Sequence, residues 1–248
     1  MKKKKIIEFL GFFSLRFCVY LVLAVLVLFV YDIGSKGAGA VNWEFLSQAP
    51  RRGMTEGGIF PAIIGTFLVT IVTAILAVPL GMFAAIYLNE YAKQTRLTRI
   101  IRLSIRNLSG VPSIVYGLFG VILFVNILKF GTSILSAGLT LGLLTLPWTI
   151  TASEEALKTI PNSYREGALA LGATKWQAIR TNVLPYAMPG MLTGTVLGLA
   201  RAAGETAPIM FTGAAFYLPF LPQSLSEQFM ALPYHLYVMA TQHHSIAQ

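Results

Sequence analysis

The chain has 248 residues, 55% of them hydrophobic and only 12% charged, where a water-soluble domain carries about a quarter charged residues. This composition, with a mean hydropathy of +0.68, excludes a soluble globule and points to an integral membrane protein. A single cysteine, Cys18, excludes an intramolecular disulfide and a cysteine metal cage, and the net charge of +9 is accounted for by topology, as its distribution shows.

In chain order, five runs are long and apolar enough for a helical crossing. A bilayer core about 30 Å thick needs roughly 20 such residues, because only a helix or a closed barrel satisfies the backbone there. The runs lie at 12–33, 60–88, 108–128, 132–152 and 187–212. The first follows four lysines and precedes an Ala38-Gly39-Ala40 sequence of the kind a signal peptidase cleaves, but it exceeds a signal h-region in length and reads as an uncleaved anchor. Basic residues near segment ends stay on the cytoplasmic side. With the N-terminus inside, Lys2 to Lys5, Arg16, Lys93, Arg96, Arg99, Arg102, Arg106, Lys158, Arg165, Lys175 and Arg180 are cytoplasmic, fourteen of the nineteen basic residues. Lys36, Arg51, Arg52 and Lys129 fall outside, and Arg201 lies within the membrane. The positive charge is therefore a topology signal, and no nucleic-acid partner is implied. The chain reads as one membrane domain, 1–248, with a core at 60–212, a cytoplasmic loop at about 153–186 and an extracytoplasmic tail at 213–248, where Pro219, Pro222 and Pro233 interrupt every apolar run. Glu154 and Glu155 read as a solvated helix end.

The loop contains the longest stretch that reads as an amphipathic soluble helix, 164–190. Ala168, Leu169, Leu171, Trp176, Ile179 and Val183 alternate with Arg165, Lys175, Gln177 and Arg180, Gly172 interrupts the pattern and Pro185 ends it. The pattern predicts helix, break, helix, with a glycine that lets the chain turn and apolar residues that call for a partner surface. An interfacial helix on the lipid headgroups, anchored by Trp176, is the alternative. The segment resembles the EAA loop of ABC-importer permeases, whose pattern is Glu-Ala-Ala, three residues, Gly, nine residues, Ile, one residue, Leu-Pro. This chain has Glu166-Gly167-Ala168, Gly172 and Leu184-Pro185 at that spacing, with Gly167 replacing the central Ala and Asn182 replacing Ile. The resemblance implies that the loop docks on a cytoplasmic ATPase subunit.

The fifth run carries Arg201 and Glu205 inside an apolar segment. An ionisable side chain at the bilayer centre costs on the order of 2.5–3.5 kcal/mol, so it faces protein or water. On one continuous helix Gly190, Gly194, Gly198, Arg201 and Glu205 fall within about 80° of one another. The glycines form two overlapping GxxxG patterns that let another helix approach. The charges are either a salt bridge buried in that contact or part of an anion path in which the pair opens during transport. On the second run Thr66, Thr70 and Thr73 lie within about 60° of one another, where their hydroxyls either join the path or bond their own helix backbone.

Two further motifs, Arg201 to Pro208 (RAAGETAP) and Ser109 to Gly120 (SGVPSIVYGLFG), resemble signatures of permeases of the phosphate-specific transport system, PstA type. The resemblance implies an all-α polytopic bundle of the type I ABC-importer permease kind in a bacterial inner membrane, with a sixth C-terminal helix that this sequence does not display. It further implies a PstC-type partner permease, a PstB-type ATPase and an extracytoplasmic phosphate-binding protein, with membrane lipid as surroundings. Catalysis is placed in the ATPase partner, since no GxxxxGK[ST] motif is present to cradle ATP phosphates. No cofactor is implied, and His235, His243 and His244 lack cysteine partners and do not read as a metal site. Another oxyanion such as sulfate or molybdate, or a non-transporting membrane assembly factor, are the competing functions.

Overall fold

The computed structural model describes residues 2–54 and 56–242. Two compact units emerge, Met1–Ser47 and Gln48–Gln248. The first holds α1 (Lys2–Gly37) and the short α2 (Trp43–Ser47). Residues Glu8–Gly37 of α1 are long and apolar enough to cross a membrane, and Cys18 is exposed on them.

The second unit opens with a small antiparallel hairpin, β1 (Pro50–Arg51) and β2 (Glu56–Gly57). Helix α3 (Phe60–Ile86) runs on through a π-helical turn at Tyr87–Tyr91. Next come α4 (Arg96–Leu108), α5 (Ser113–Gly120) with a π-helical continuation at Val121–Ile127, and α6 (Ile134–Lys158). Helix α7 (Asn162–Ala170) is followed by α8 (Lys175–Ala178), which continues through a π-helical turn at Ile179–Val183 into α9 (Leu184–Ala203). Helices α10 (Ala207–Thr212) and α11 (Leu232–Gln242) complete the described chain.

Close packing between α3, α6 and α9 forms the bundle, and small residues make it. A side chain added at Gly138 would strike Val72, one at Gly142 would strike Leu76, and one at Gly81 would strike Thr149. These pairs rise together along both helices, so α3 and α6 run parallel. Side chains added at Gly190, Gly194 and Gly198 would strike Ala156, Ala152 and Trp148 in turn, so α9 runs antiparallel to α6. Counting α4 and α5 together as one crossing, alternating crossings give this arrangement, since α3 and α6 are then separated by one crossing and α6 and α9 are consecutive. One apolar core gathers Val69, Ile134, Leu141, Ile209 and Phe229, and a second gathers Ala85, Ile86, Leu157, Ile179, Val183 and Met191.

Among the described residues, four helical stretches qualify as crossings, and a fifth if a bent pair counts as one. The bent pair corrects the expected 108–128 run: α4 and α5 meet at 99° across Ser109–Pro112. Gly110 and Pro112 account for the break, because proline disfavours a helical conformation in the residue before it. The expected fifth run, 187–212, is also discontinuous. Helix α9 starts at Leu184 and stops at Gly204, and α10 starts beyond it, with Pro208 in its first turn where the missing N–H costs nothing. Pro185 therefore does not end the amphipathic segment: the run from Lys175 to Ala203 is helical, and Pro185 sits at the start of α9 just past the π-helical turn. Helix α6 extends through Lys158, which shortens the expected loop at 153–186.

The tail folds back on the bundle. Ile134 and Leu135 at the start of α6 donate their N–H groups to the carbonyls of Glu227 and Leu225, and Phe229 is fully buried. Leu232 donates its N–H to Thr66 Oγ1 at 2.8 Å, which starts α11 against α3. His243 and His244 lie outside the described residues.

Candidate functional site

The docking loop is built as helix, break, helix. Helix α7 ends where Gly172 takes φ +84°, a left-handed conformation that glycine adopts without a Cβ penalty. Its N–H reaches Leu169 O, and Ala173 N–H reaches Ala168 O. Helix α8 then starts with a reciprocal cap: Thr174 Oγ1 accepts from Gln177 N–H, and Gln177 Oε1 accepts from Thr174 N–H. Glu166, Gly167 and Gly172 are exposed, as are Tyr164, Leu169, Leu171 and Trp176, with Leu171 at 91%. Ala168 is the buried residue of α7, while Leu184 is half-buried and Pro185 exposed at the foot of α9.

What holds α7 down is a buried ion pair that sequence reading did not identify. Arg165 Nη2 and Nε reach the Glu90 carboxylate at 2.6 and 3.0 Å, with the Glu90 side chain 4% exposed. The same guanidinium donates to the carbonyls of Ile160 and Leu157 at 2.9 and 3.2 Å, and Asn89 Nδ2 donates to Glu90 Oε1 at 2.8 Å. The hydrogen bond to Glu90 holds the Arg165 guanidinium above its already high range, burial working against it. Lys175 stands over the Tyr91 ring at 4.9 Å. Removing one partner of a buried pair costs about 3–5 kcal/mol, whereas the single Ala168 methyl contributes on the order of 1 kcal/mol. The ion pair is thus the main polar fastening of α7, beside an edge-on contact between Tyr164 and Tyr186 of α9 with ring centroids 5.0 Å apart.

A second buried contact corrects the reading of Glu154 as solvated. Its side chain is 7% exposed and lies 2.8 Å from Arg102 Nε, while Arg102 Nη2 donates to Leu88 O at 2.8 Å. Helix α4 thereby ties the end of α3 to the end of α6. Glu155 remains exposed and pairs with Lys158.

The charges of the fifth run occupy a different level. Arg201 belongs to the last turn of α9 and Glu205 to the break beyond it, with Nε and Oε1 3.5 Å apart. Arg201 stands 5.9 Å from the Trp148 ring and borders a small cleft with Ser109, Tyr116 and Thr145. Trp148 and Thr145 lie near the midpoint of α6, so the guanidinium sits at mid-depth of the bundle. Its side chain is 54% exposed and that of Glu205 16%, so the pair is not buried within the glycine contact. Gly190, Gly194 and Gly198 face α6, and Arg201 emerges beside that contact next to the α4–α5 break.

The threonines are placed elsewhere. Thr66, Thr70 and Thr73 each donate to the carbonyl four residues back, Thr66 also starts α11, and the fully buried Thr73 also reaches Gly138 O at 3.2 Å. Each of the three hydroxyls thus has a backbone carbonyl as its acceptor.

Residues 77–241 match the family model described as binding-protein-dependent transport system inner membrane component. A Bacillus subtilis (strain 168) protein called probable ABC transporter permease protein YqgI is 34% identical over 203 residues, covering 82% of this chain and 68% of the relative. The phosphate transport system permease protein PstA 1 of Mycobacterium tuberculosis (strain CDC 1551 / Oshkosh) is 39% identical over 203 residues, covering 80% of this chain and 66% of the relative. PstA of Haemophilus influenzae is 33% identical, with 85% and 74% covered. The chain thus spans about two thirds of the length of the first two. Among solved structures, the inward-facing MetNI methionine ABC transporter aligns at 22% identity and a TM-score of 0.48, covering 59% of this chain and 68% of that one.

Proposed function

We propose that this chain, which belongs to the family of binding-protein-dependent transport system inner membrane components, is a permease subunit of an ATP-driven importer and contributes the membrane path for inorganic phosphate. Relatives named as phosphate permeases, 33–39% identical over about four fifths of the chain, supply the substrate. The observation that carries the path is Arg201, half-exposed at mid-depth. A guanidinium there cannot be left facing acyl chains, so it faces water or a partner subunit, and an anion is its natural counter-ion. Glu205 holds the cation at 3.5 Å, loosely enough to release it to a phosphate.

The loop of Glu166, Gly167, Ala168, Gly172, Leu184 and Pro185 is the docking segment for a PstB-type ATPase, in which hydrolysis takes place, with Glu166, Gly167, Gly172 and Pro185 on its exposed surface. A PstC-type permease completes the path and an extracytoplasmic phosphate-binding protein delivers the anion. The N-terminus and the docking loop are cytoplasmic and the membrane is the bacterial inner membrane. Radiolabelled phosphate uptake by proteoliposomes of the full complex tests this. Uptake that requires ATP and the binding protein, and that excess sulfate or molybdate leaves unchanged, is the expected result. An assembled complex that moves sulfate or molybdate in preference, or no oxyanion, overturns it.

A further inference from the structure

We propose that Glu90 and Arg165 form the joint through which the docking helix moves the membrane helices, and that both are positioning residues for coupling. Arg165 has two edges in use. One grips the Glu90 carboxylate on the π-helical turn that ends α3, and the other grips the Leu157 and Ile160 carbonyls at the end of α6. Both helices therefore converge on one side chain of α7. They are also parallel, closely packed, and tied to each other by Arg102, which contacts Leu88 O and Glu154.

The consequence is mechanical. Ala168 is the one buried residue of α7 and Tyr164 meets Tyr186 of α9 edge-on with ring centroids 5.0 Å apart, whereas Arg165 supplies its hydrogen bonds to the ends of α3 and α6. Any displacement of α7 must drag the ends of α3 and α6 along or leave the Glu90 carboxylate buried without its cation. The second of these is disfavoured, because an uncompensated buried charge is far costlier than the pair. The π-helical turns at Tyr87–Tyr91 and Ile179–Val183 flank the joint, and each interrupts the regular ladder where such a turn can yield. Asn89 holds Glu90 in register from the same turn.

The role in transport rests on α7 being the ATPase docking helix, whereas the joint itself does not, and the test separates them. In the purified chain with Cys18→Ser, a nitroxide on Ser163→Cys reports the mobility of α7. Arg165→Gln and Glu90→Gln should raise that mobility, and Arg165→Lys, which reaches the carboxylate but not both carbonyls, should restore it in part. Unchanged mobility in Arg165→Gln and Glu90→Gln overturns the joint, whatever the complex transports. In the full complex, Arg165→Gln should retain ATP hydrolysis while phosphate moved per ATP falls about tenfold or more, within the roughly 5–150-fold range of a coupling between two sites. Asn89→Ala, which leaves the ion pair intact but unguided, should lower the ratio less. A wild-type ratio in Arg165→Gln, or lost ATPase binding in Arg165→Gln with a wild-type ratio in Asn89→Ala, shows that the pair only holds the fold. Absence of uptake by the wild-type complex instead overturns the phosphate reading and leaves the mobility result standing.

Discussion

At the scale of single residues, Arg201 and Glu90 show two ways a charge survives in an apolar chain. Glu90 is sealed from water and satisfied by Arg165 and Asn89, so its partners are fixed. Arg201 is only loosely paired and half-exposed, which leaves room for an exchange of partners. Replacing both charges of the second site, Arg201→Met with Glu205→Leu, leaves no charge unpaired, so the chain should insert and assemble normally. A hydrogen bond to a charged group contributes about 1.5–3 kcal/mol, so phosphate uptake by the reconstituted complex should fall about tenfold or more. Near-normal uptake from a verified assembly would remove Arg201 from the path. Arg201 was legible in the sequence because a lone cation in an apolar run is conspicuous. Glu90 was not, because it lies at the end of such a run, 75 residues from its partner, where a solvated carboxylate is equally plausible.

At the scale of elements, periodicity and topology were readable and discontinuity was not. Apolar runs located α1, α3, α6 and most of α9 but not α4, and the Gly190, Gly194, Gly198 spacing marked a face that the structure sets against α6. The 99° bend between α4 and α5 and the stop at Gly204 escaped because hydropathy is blind to backbone direction, although Pro112 and Pro208 were the local signals. Helix α11 escaped as well, since its start depends on a threonine 166 residues earlier. The break at Gly172 was readable because a glycine between two amphipathic stretches supplies the left-handed turn that ends the first helix. Its φ of +84° makes the element testable. Gly172→Val places a β-branched residue in a conformation costing on the order of 1–3 kcal/mol, with no neighbour within reach to clash. The variant should therefore stay in the membrane while the angle between α7 and α8 changes. Glu166→Lys reverses a charge on the exposed face of α7. Both should lose stimulated ATPase activity or ATPase co-purification, and wild-type values for both would refute the docking surface.

At the scale of the whole second unit, its two ends are chemically distinct, and internal contacts fix which segments share an end. The hairpin, the tail and the start of α6 lie together: Tyr217 hydroxyl donates to Pro50 O, and Ile134 N–H donates to Glu227 O. Glu90, Arg102, Glu154 and Arg165 meet at the other end, where basic residues concentrate. Because α3 and α6 are parallel and α9 antiparallel, a single orientation assigns every segment of the unit to a side. The excess of Lys and Arg predicts that the Arg165 end is cytoplasmic. In intact cells carrying Cys18→Ser, cysteines introduced at Arg99 and Lys175 should therefore resist an impermeant thiol reagent, while those at Arg51 and Ser224 should react. All four sites are exposed, so burial cannot mimic the membrane as a barrier. Reaction at Lys175 from outside, with protection at Ser224, would invert the unit as a body and separate the docking loop from any cytoplasmic ATPase. Reaction at both would break the shared-end contacts and refute the helix directions themselves.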